Sequence, residues 1–303
     1  MATITLTVSQ KTLENMYQHY ATQIIKIPNH TLFQAKTAHC TITAYLSKKV
    51  VFQGKSPELE ATKWESSLQS PSKSTPALSK LPAQIARLSA VGCDEVGTGD
   101  YFGPLVVCCA YVPQDKISQL HSIGIKDSKM LKDSEICQLA EQIEPFINHQ
   151  VLILPNQKYN EMVDRGMNAN AIKAFLHNQA LIKLTANLNP YPDYLIMDEF
   201  VNERKYFDYL HQLPKKPSIV KENLYFIQKG ESVHVAVAAA SILARASFVK
   251  YMNIMSKKIN FDLPKGAGNP VDLAGRRLIK QIGKEQFKDL TKWHFANTKK
   301  IVK

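Results

Sequence analysis

Apolar and polar positions along the chain change rhythm several times, and each change marks an element. Thr3-Ile4-Thr5-Leu6-Thr7-Val8 alternates with period two, which predicts a half-buried strand. After Ser9, a candidate N-cap, Leu13, Met16, Tyr17, Tyr20, Ala21 and Ile24 recur at helical spacing. Cys40, Ile42, Ala44 and Leu46 alternate again; Ser47-Lys48-Lys49 reads as a turn and Val50-Val51-Phe52 as the returning strand. Ser56-Pro57-Glu58 combines a cap, a first-turn proline and an acidic start, so a helix is predicted there. The order strand, helix, strands, helix describes a small α+β unit.

Periodicity fades over residues 66–80, which hold six serines and two prolines. Such a stretch cannot bury enough apolar area to offset its chain entropy, so it reads as a linker. The predicted organisation is a small domain over 1–66, a linker over 67–84 and a large domain over 85–303. In the large domain, Ala90 to Val96 and Leu105 to Val112 are apolar, β-rich runs separated by a glycine-rich turn. Helical periodicity covers 133–148, 168–188, 201–212 and 232–259, interleaved with short apolar runs at 151–154, 194–197 and 224–227. Apolar strands flanked by helices predict an α/β sandwich around a buried sheet. No internal repeat is visible.

The chain's 303 residues carry 38 basic against 26 acidic side chains, a net charge of +12. That surplus suits a polyanionic partner: nucleic acid, ribosome contacts or an anionic membrane. Residues 1–82 hold nine lysines against four glutamates, which fits a basic sheet docking on phosphates or a solvated face of a folding or oligomerisation module. Residues 280–303 hold seven lysines against Glu285 and Asp289, readable as a phosphate-facing arm or helix, or as a solvated face. The five cysteines are odd in number and lack CxxC spacing, which argues against a disulfide framework or a zinc ribbon. The amino terminus lacks a signal peptide's basic flank and apolar run. The least polar stretch, 233–249, contains His234 and Arg245 and falls short of the roughly 20 residues a bilayer requires. A cytoplasmic protein without a membrane segment is expected.

Chemistry enters where carboxylates interrupt apolar strands. Asp94 and Glu95 lie inside Val91-Gly92-Cys93-Asp94-Glu95-Val96, where an unpaired charge is costly and must neutralise, pair or bind a metal. Gly97 and Gly99 follow, permitting an irregular turn and close backbone approach to a ligand. Asp198 ends the strand-like Tyr194-Leu195-Ile196-Met197, the position where α/β sheets bind ligands, although it could equally cap a helix beginning near Val201. Glu231 follows a third strand and opens an alanine-rich helix, where the helix dipole alone would favour it. Each carboxylate has an ordinary structural explanation. Together, acidic groups at the ends of three apolar strands in a basic protein suit hard divalent cations, Mg2+ or Mn2+, clamping a phosphodiester.

The run Asp94-Glu95-Val96-Gly97-Thr98-Gly99-Asp100-Tyr101-Phe102-Gly103-Pro104 closely resembles the signature of type 2 ribonucleases H, in particular the bacterial ribonuclease HIII branch. Lys126-Asp127-Ser128-Lys129, Met167-Asn168, Leu176-His177-Asn178-Gln179-Ala180 and Ala238-Ala239-Ala240-Ser241-Ile242-Leu243-Ala244-Arg245 follow in family order. The Gly97-Thr98-Gly99 loop, where ribonuclease HII usually has Gly-Arg-Gly, and the Asp-Tyr-Phe continuation favour the HIII branch. The resemblance implies a ribonuclease H-like mixed β-sheet flanked by helices, preceded by a small TATA-binding-protein-like α+β domain that binds substrate. It makes Asp94, Glu95, Asp198 and Glu231 the metal-binding catalytic acids; the fourth is more often aspartate, so Glu231 departs from the pattern.

The implied reaction is endonucleolytic hydrolysis of the RNA strand of an RNA–DNA hybrid, leaving a 5′-phosphate and a 3′-hydroxyl. Two metal ions, Mg2+ or Mn2+, are expected, with no obligate protein partner and a monomeric chain. Gly97, Thr98 and Gly99 would meet the ribose 2′-hydroxyl, the group that tells RNA from DNA. Lys126, Ser128, Lys129 and Lys229 would hold phosphates; for the first three a solvated loop is the alternative. His234 reads better as a core or supporting histidine than as a catalytic one. The rival readings are ribonuclease HII-like cleavage at single ribonucleotides, a non-catalytic hybrid-binding protein, and a DNA nuclease of the same fold.

Overall fold

The computed structural model describes residues 2–28, 30–65, 81–125, 131–214 and 218–302. The chain forms two compact units, Met1–Ser74 and Thr75–Lys303.

The first unit contains β1 (Ala2–Thr7), α1 (Gln10–His19), β2 (Ile24–Lys26), β3 (Thr31–Lys36), β4 (Cys40–Tyr45), β5 (Lys49–Gly54) and α2 (Glu58–Glu65). Its strands form one antiparallel sheet in the order β1-β5-β4-β3-β2. Ser9 caps α1 as expected, its hydroxyl accepting the Thr12 amide at 3.0 Å. Leu13, Met16 and Tyr20 from α1 bury against Phe33, Ile42 and Phe52 of the sheet. The helix stops before Ile24, which lies instead in β2, because the chain must turn there to join the sheet's edge. The burial of β3 alternates as in a half-covered strand, although the sequence reading passed over it.

The second unit contains β6 (Ala90–Val96), β7 (Leu105–Val112), α3 (Gln114–Ser122), α4 (Asp133–Ile143), β8 (Asn148–Leu154), α5 (Asn156–Asp164), α6 (Ala169–Thr185) and β9 (Leu195–Asp198). After these come α7 (Glu203–His211), β10 (Leu224–Ile227), α8 (Gly230–Val233), α9 (Val235–Ile259), α10 (Asn269–Ile282), α11 (Lys284–Lys288) and α12 (Ala296–Ile301). The sheet order is β10-β9-β6-β7-β8; β10, β9 and β6 pair in parallel, and β7 runs antiparallel to both of its neighbours, β6 and β8. One face packs on α3, α4, α9 and the carboxy-terminal helices, the other on α5, α6 and α7. This is the expected mixed sheet with helices on both faces. Because three strands run parallel, their carboxyl ends, and the carboxylates there, reach the same edge.

Two boundaries and two further expectations differ from the sequence reading. Leu81 is buried with Ile196 and Val237, so the expected linker ends sooner than residue 84. The helix expected over 133–148 ends at Ile143, where Pro145 lies within a single 3-10 turn, and β8 begins at Asn148. α9 runs 25 residues and is long and apolar enough to cross a bilayer by length and composition, contrary to the estimate from 233–249. Its apolar side chains instead pack against the sheet and its neighbours. Finally, residues 280–302 form helical segments rather than a free arm, since Phe287 and Ile301 enter the core and Lys292 is fully buried.

Gly92 decides how closely α9 lies on β6. A Cβ there would sit 2.1 Å from the Val237 amide nitrogen and 2.2 Å from the Ala236 carbonyl carbon, both backbone atoms that cannot step aside. Gly92→Ala should therefore lower stability by about 1–3 kcal/mol through overpacking, read as a shifted urea midpoint at unchanged slope.

Candidate active site

β6 begins fully buried and becomes half-buried at Asp94 and Glu95. Neighbouring strand residues point to opposite faces, and these two carboxylates find separate partners. Glu95 reaches α6, where Lys173 Nζ donates to Oε1 and His177 Nε2 lies against Oε2, both at 2.9 Å. Asp94 turns toward α9 and is hydrogen-bonded by Ser241, while its Oδ1 accepts the Glu95 amide at 2.7 Å. Asp198, the last residue of β9, accepts the Gly230 amide at 2.8 Å. That bond brings the start of α8, and with it Glu231, alongside the end of β9. Asp198 does not cap the following helix, since Asn202 does so through the Lys205 amide.

Electrostatics separate the two neighbours on β6. Burial, then the negative charges of Glu95 and Asp198, push the Asp94 carboxyl from its ordinary 3.8 up to about 7, against the Ser241 hydrogen bond. Burial would also raise Glu95, but its bond to His177 and the charges of His177 and Lys173 outweigh that and lower it. Burial lowers His177, yet the neighbouring Cys93 and Glu95 outweigh that and carry it up to about 9. Phe200 completes this support, with the Lys173 amine 4.2 Å from its ring centroid and His177 stacked on it at 5.4 Å.

The glycine loop has a fixed root and an open tip. Gly97 has φ +95°, and a Cβ there would meet the Pro104 carbonyl oxygen at 2.2 Å. Thr98 and Gly99 are exposed, and a Cβ on Gly99 would meet nothing within 4 Å. Lys229 is exposed in a left-handed conformation at φ +56° just before Gly230. Lys126, Ser128 and Lys129 lie outside the described residues. His234 belongs to the core, as expected: Nδ1 accepts the Ala236 amide and Nε2 bonds the Leu88 carbonyl, both at 3.0 Å, so it does not turn to the carboxylates.

Sequence reasoning assigned no role to Lys173, His177, Phe200 or Ser241. A signal was present: Lys173 and His177 stand four apart in an otherwise apolar stretch of α6, which puts them on one helix face. Ser241 is likewise a polar residue within an alanine-rich run.

The donor set suits a hard divalent cation. Four half-buried carboxylates offer only oxygen, and the strained ionisation of Asp94 is what a nearby cation would relieve. A second cluster, Cys93, Cys109 and His177, has its candidate ligand atoms within 4.8 Å of one another. Its sulfurs are 2.7 Å apart, too close for two ligands on one tetrahedral zinc, where 2.3 Å bonds imply about 3.8 Å.

A family model described as Ribonuclease HII matches residues 91–298, and ribonuclease HIII of Listeria monocytogenes serotype 4b (strain CLIP80459) is 45% identical over 100% of this chain and 99% of its own length. The chain belongs to the ribonuclease HII family, in its ribonuclease HIII branch. Ribonuclease HIII of Bacillus mycoides (strain KBAB4) is also 45% identical, over 98% of this chain and 96% of its own. The crystal structure of Bst-RNase HIII in complex with Mn2+ superposes with TM-score 0.71 at 41% identity, covering 99% of this chain and 98% of that one. Ribonuclease H2 from Pyrococcus horikoshii OT3, at 20% identity and TM-score 0.58, covers 71% of this chain and 97% of its own and shares the fold. Residues 3–77 match a separate family described as a domain of unknown function.

The raised carboxyl of Asp94 has a measurable sign in this ribonuclease. Unfolded, Asp94 ionises near 3.8; folded and metal-free, it keeps its proton until about 7. The unfolded state then binds fewer protons across that window, so this group's contribution to stability falls as pH rises through it and levels off above. In EDTA, the melting temperature of Asp94→Asn should gain on the parent protein's from pH 4.5 to 8. A constant difference between the two would contradict this assignment.

Proposed function

We propose that this chain is a metal-dependent endoribonuclease that hydrolyses the RNA strand of RNA–DNA hybrids, and that Asp94, Glu95, Asp198 and Glu231 hold its divalent ions. The observation that carries the site assignment is the meeting of carboxylates at the ends of β6 and β9, where burial and the charges of Glu95 and Asp198 raise Asp94 to about 7, with Glu231 beside them at the start of α8. Two Mg2+ or Mn2+ ions bound there would supply water activation and charge stabilisation at the leaving 3′-oxygen. The products would carry a 5′-phosphate and a 3′-hydroxyl.

The protein's own groups divide the remaining work. Lys173 and His177 hold both oxygens of Glu95 in place. The Gly230 amide does the same for one oxygen of Asp198. Thr98 and Gly99, at the exposed tip of a loop whose root is fixed, meet the ribose 2′-hydroxyl. Exposed Lys229 holds a phosphate, as do Lys126, Ser128 and Lys129. The amino-terminal unit, TATA-binding-protein-like in its order of elements, binds the hybrid through the sheet face its helices leave open. That face carries Gln34 and Thr43, joined at 2.8 Å, together with Lys36 and Lys49. The chain acts as a monomer in the cytoplasm.

The test uses three labelled duplexes with Mg2+ or Mn2+: an RNA–DNA hybrid, DNA with four consecutive ribonucleotides, and DNA with one. Metal-dependent cutting of the first two is expected. Asp94→Asn should lose at least about 100-fold in kcat, as when a preorganised electrostatic group is removed. Preferential cutting at a single ribonucleotide would instead support ribonuclease HII-like specificity, and binding without cleavage would overturn the enzymatic reading.

Gly99→Ala provides a sharper probe of the loop. Its new methyl meets no protein atom, so the melting temperature should stay within about 2 °C of the parent's, as for an unburdened surface change. Cleavage of the hybrid should nonetheless fall at least about tenfold in kcat/KM if substrate backbone approaches that position closely. An unaltered kcat/KM would remove Gly99 from the proposed contact.

A further inference from the structure

Lys292 is fully buried and has no carboxylate within ion-pairing distance among the described residues. Its amine donates to the carbonyl oxygens of Asp100 at 2.8 Å and Gly103 at 2.7 Å, with that of Pro104 at 3.5 Å. An ammonium has three donors and no acceptor, so three converging carbonyls match it as they would a small cation. Burial holds this amine down to about 7, partly opposed by the charge of Asp100. A lysine kept in so costly a place has a structural task that a leucine could not perform.

The carbonyls it gathers close the glycine loop. The Pro104 oxygen is the atom against which Gly97 packs, and the Asp100 amide bonds the Gly97 carbonyl at 3.3 Å. The same carboxy-terminal segment grips the loop's backbone at further points. The Lys292 amide donates to the Tyr101 carbonyl at 2.8 Å, and the Gly103 amide donates to the Leu290 carbonyl at 3.3 Å. Tyr101 also meets Thr298, hydroxyl to hydroxyl, at 2.9 Å.

The turn that delivers Lys292 is itself fixed from α5. Buried Asn160 donates to the carbonyls of Lys288 and Thr291 at 3.1 and 2.9 Å and accepts the Trp293 amide at 3.0 Å. Residues 100–104 thus have a rigid back, while Thr98 and Gly99 remain open to solvent.

We propose that Lys292 is a positioning residue for ribonucleotide recognition: by gathering the carbonyls of Asp100, Gly103 and Pro104 it sets where the Thr98–Gly99 tip meets the ribose. This rests on the reading that the loop contacts the 2′-hydroxyl. It also gives part of the basic carboxy terminus a role away from phosphate.

The test compares the parent protein with Lys292→Met, which keeps the chain's length and removes its donors, and Lys292→Arg, which keeps charge and donors. Each is assayed below its melting temperature, with Mn2+, on an RNA–DNA hybrid and on a matched hybrid bearing 2′-fluoro at the scissile nucleotide. Misplacing the tip should lower kcat/KM on the hybrid about tenfold or more in Lys292→Met, while the Mn2+ concentration for half-maximal activity stays within about twofold. The preference for 2′-hydroxyl over 2′-fluoro should shrink in Lys292→Met and be largely retained in Lys292→Arg. A role in stability alone would lower the melting temperature and leave that preference intact.

Should Lys292→Met fail to fold, Asn160→Ala loosens the same turn without emptying the amine's seat and should shift the preference in the same direction. A folded Lys292→Met, or in its place a folded Asn160→Ala, with the parent's kcat/KM and preference overturns the proposal. Normal Lys292 variants beside an impaired Gly99→Ala overturn this inference alone. A Gly99→Ala that cleaves and discriminates like the parent overturns the loop reading beneath it.

Discussion

Mutual repulsion among half-buried carboxylates is the constraint around which the catalytic unit is organised. Three parallel strands bring their carboxyl ends to one edge, and the chain places acids there. Without compensation such a cluster would protonate or push the strands apart. The compensation is unequal. Glu95 receives the Lys173 amine and the His177 imidazole from α6, and Asp198 receives an amide from the start of α8. Asp94 gains one amide and the Ser241 hydroxyl, too little to offset its burial and its neighbours' charges, which raise it. The residue left under-compensated is the one that feels the charges of both Glu95 and Asp198, and an added cation would relieve it.

That arrangement needs helices held close to the strands, and the alanine run of α9 meets the need. Gly92 lets the helix backbone approach β6 at its buried middle, and Ser241 reaches Asp94 from the same helix. On the other face, α6 brings Lys173 and His177 to Glu95, with Phe200 beneath both side chains. The support is thus distributed over both layers of the sandwich. A displacement of either layer would release a different carboxylate.

Much of this was legible in the sequence because it follows from local pattern. β6, β7 and β10 stand where their apolar runs stand, and the glycine-rich signature locates the loop between the first two. Asp94, Glu95, Asp198 and Glu231 stood out as acids at the ends of three apolar strands, yet each had an ordinary structural explanation, and it was the resemblance to type 2 ribonucleases H that implied their shared role. What escaped was carried by contacts between segments distant in sequence. Lys173 and Glu95 are 78 residues apart, and Lys292 and Asp100 are 192 apart. No window shows that such residues meet. β3 escaped for another reason, since Thr31, Gln34 and Lys36 dilute an alternation that only the sheet's covered face makes visible.

The same long-range contacts change what the basic surplus means. A count of charges treats every lysine as available to a polyanion, yet Lys173 and Lys292 are both buried and committed to groups within the chain. One offsets an acid of the site, and the other donates its hydrogen bonds to loop carbonyls. Attraction to a phosphate backbone must therefore come from the exposed cations, among them Arg277, Lys280, Lys284 and Lys299 on the carboxy-terminal helices and Lys229 beside the carboxylates. Long-range attraction screens with salt over about 8–10 Å, whereas the buried cations act at contact distance and are screened much less. Drawing the hybrid in and shaping the pocket that receives it thus fall to different lysines, and ionic strength acts chiefly on the first.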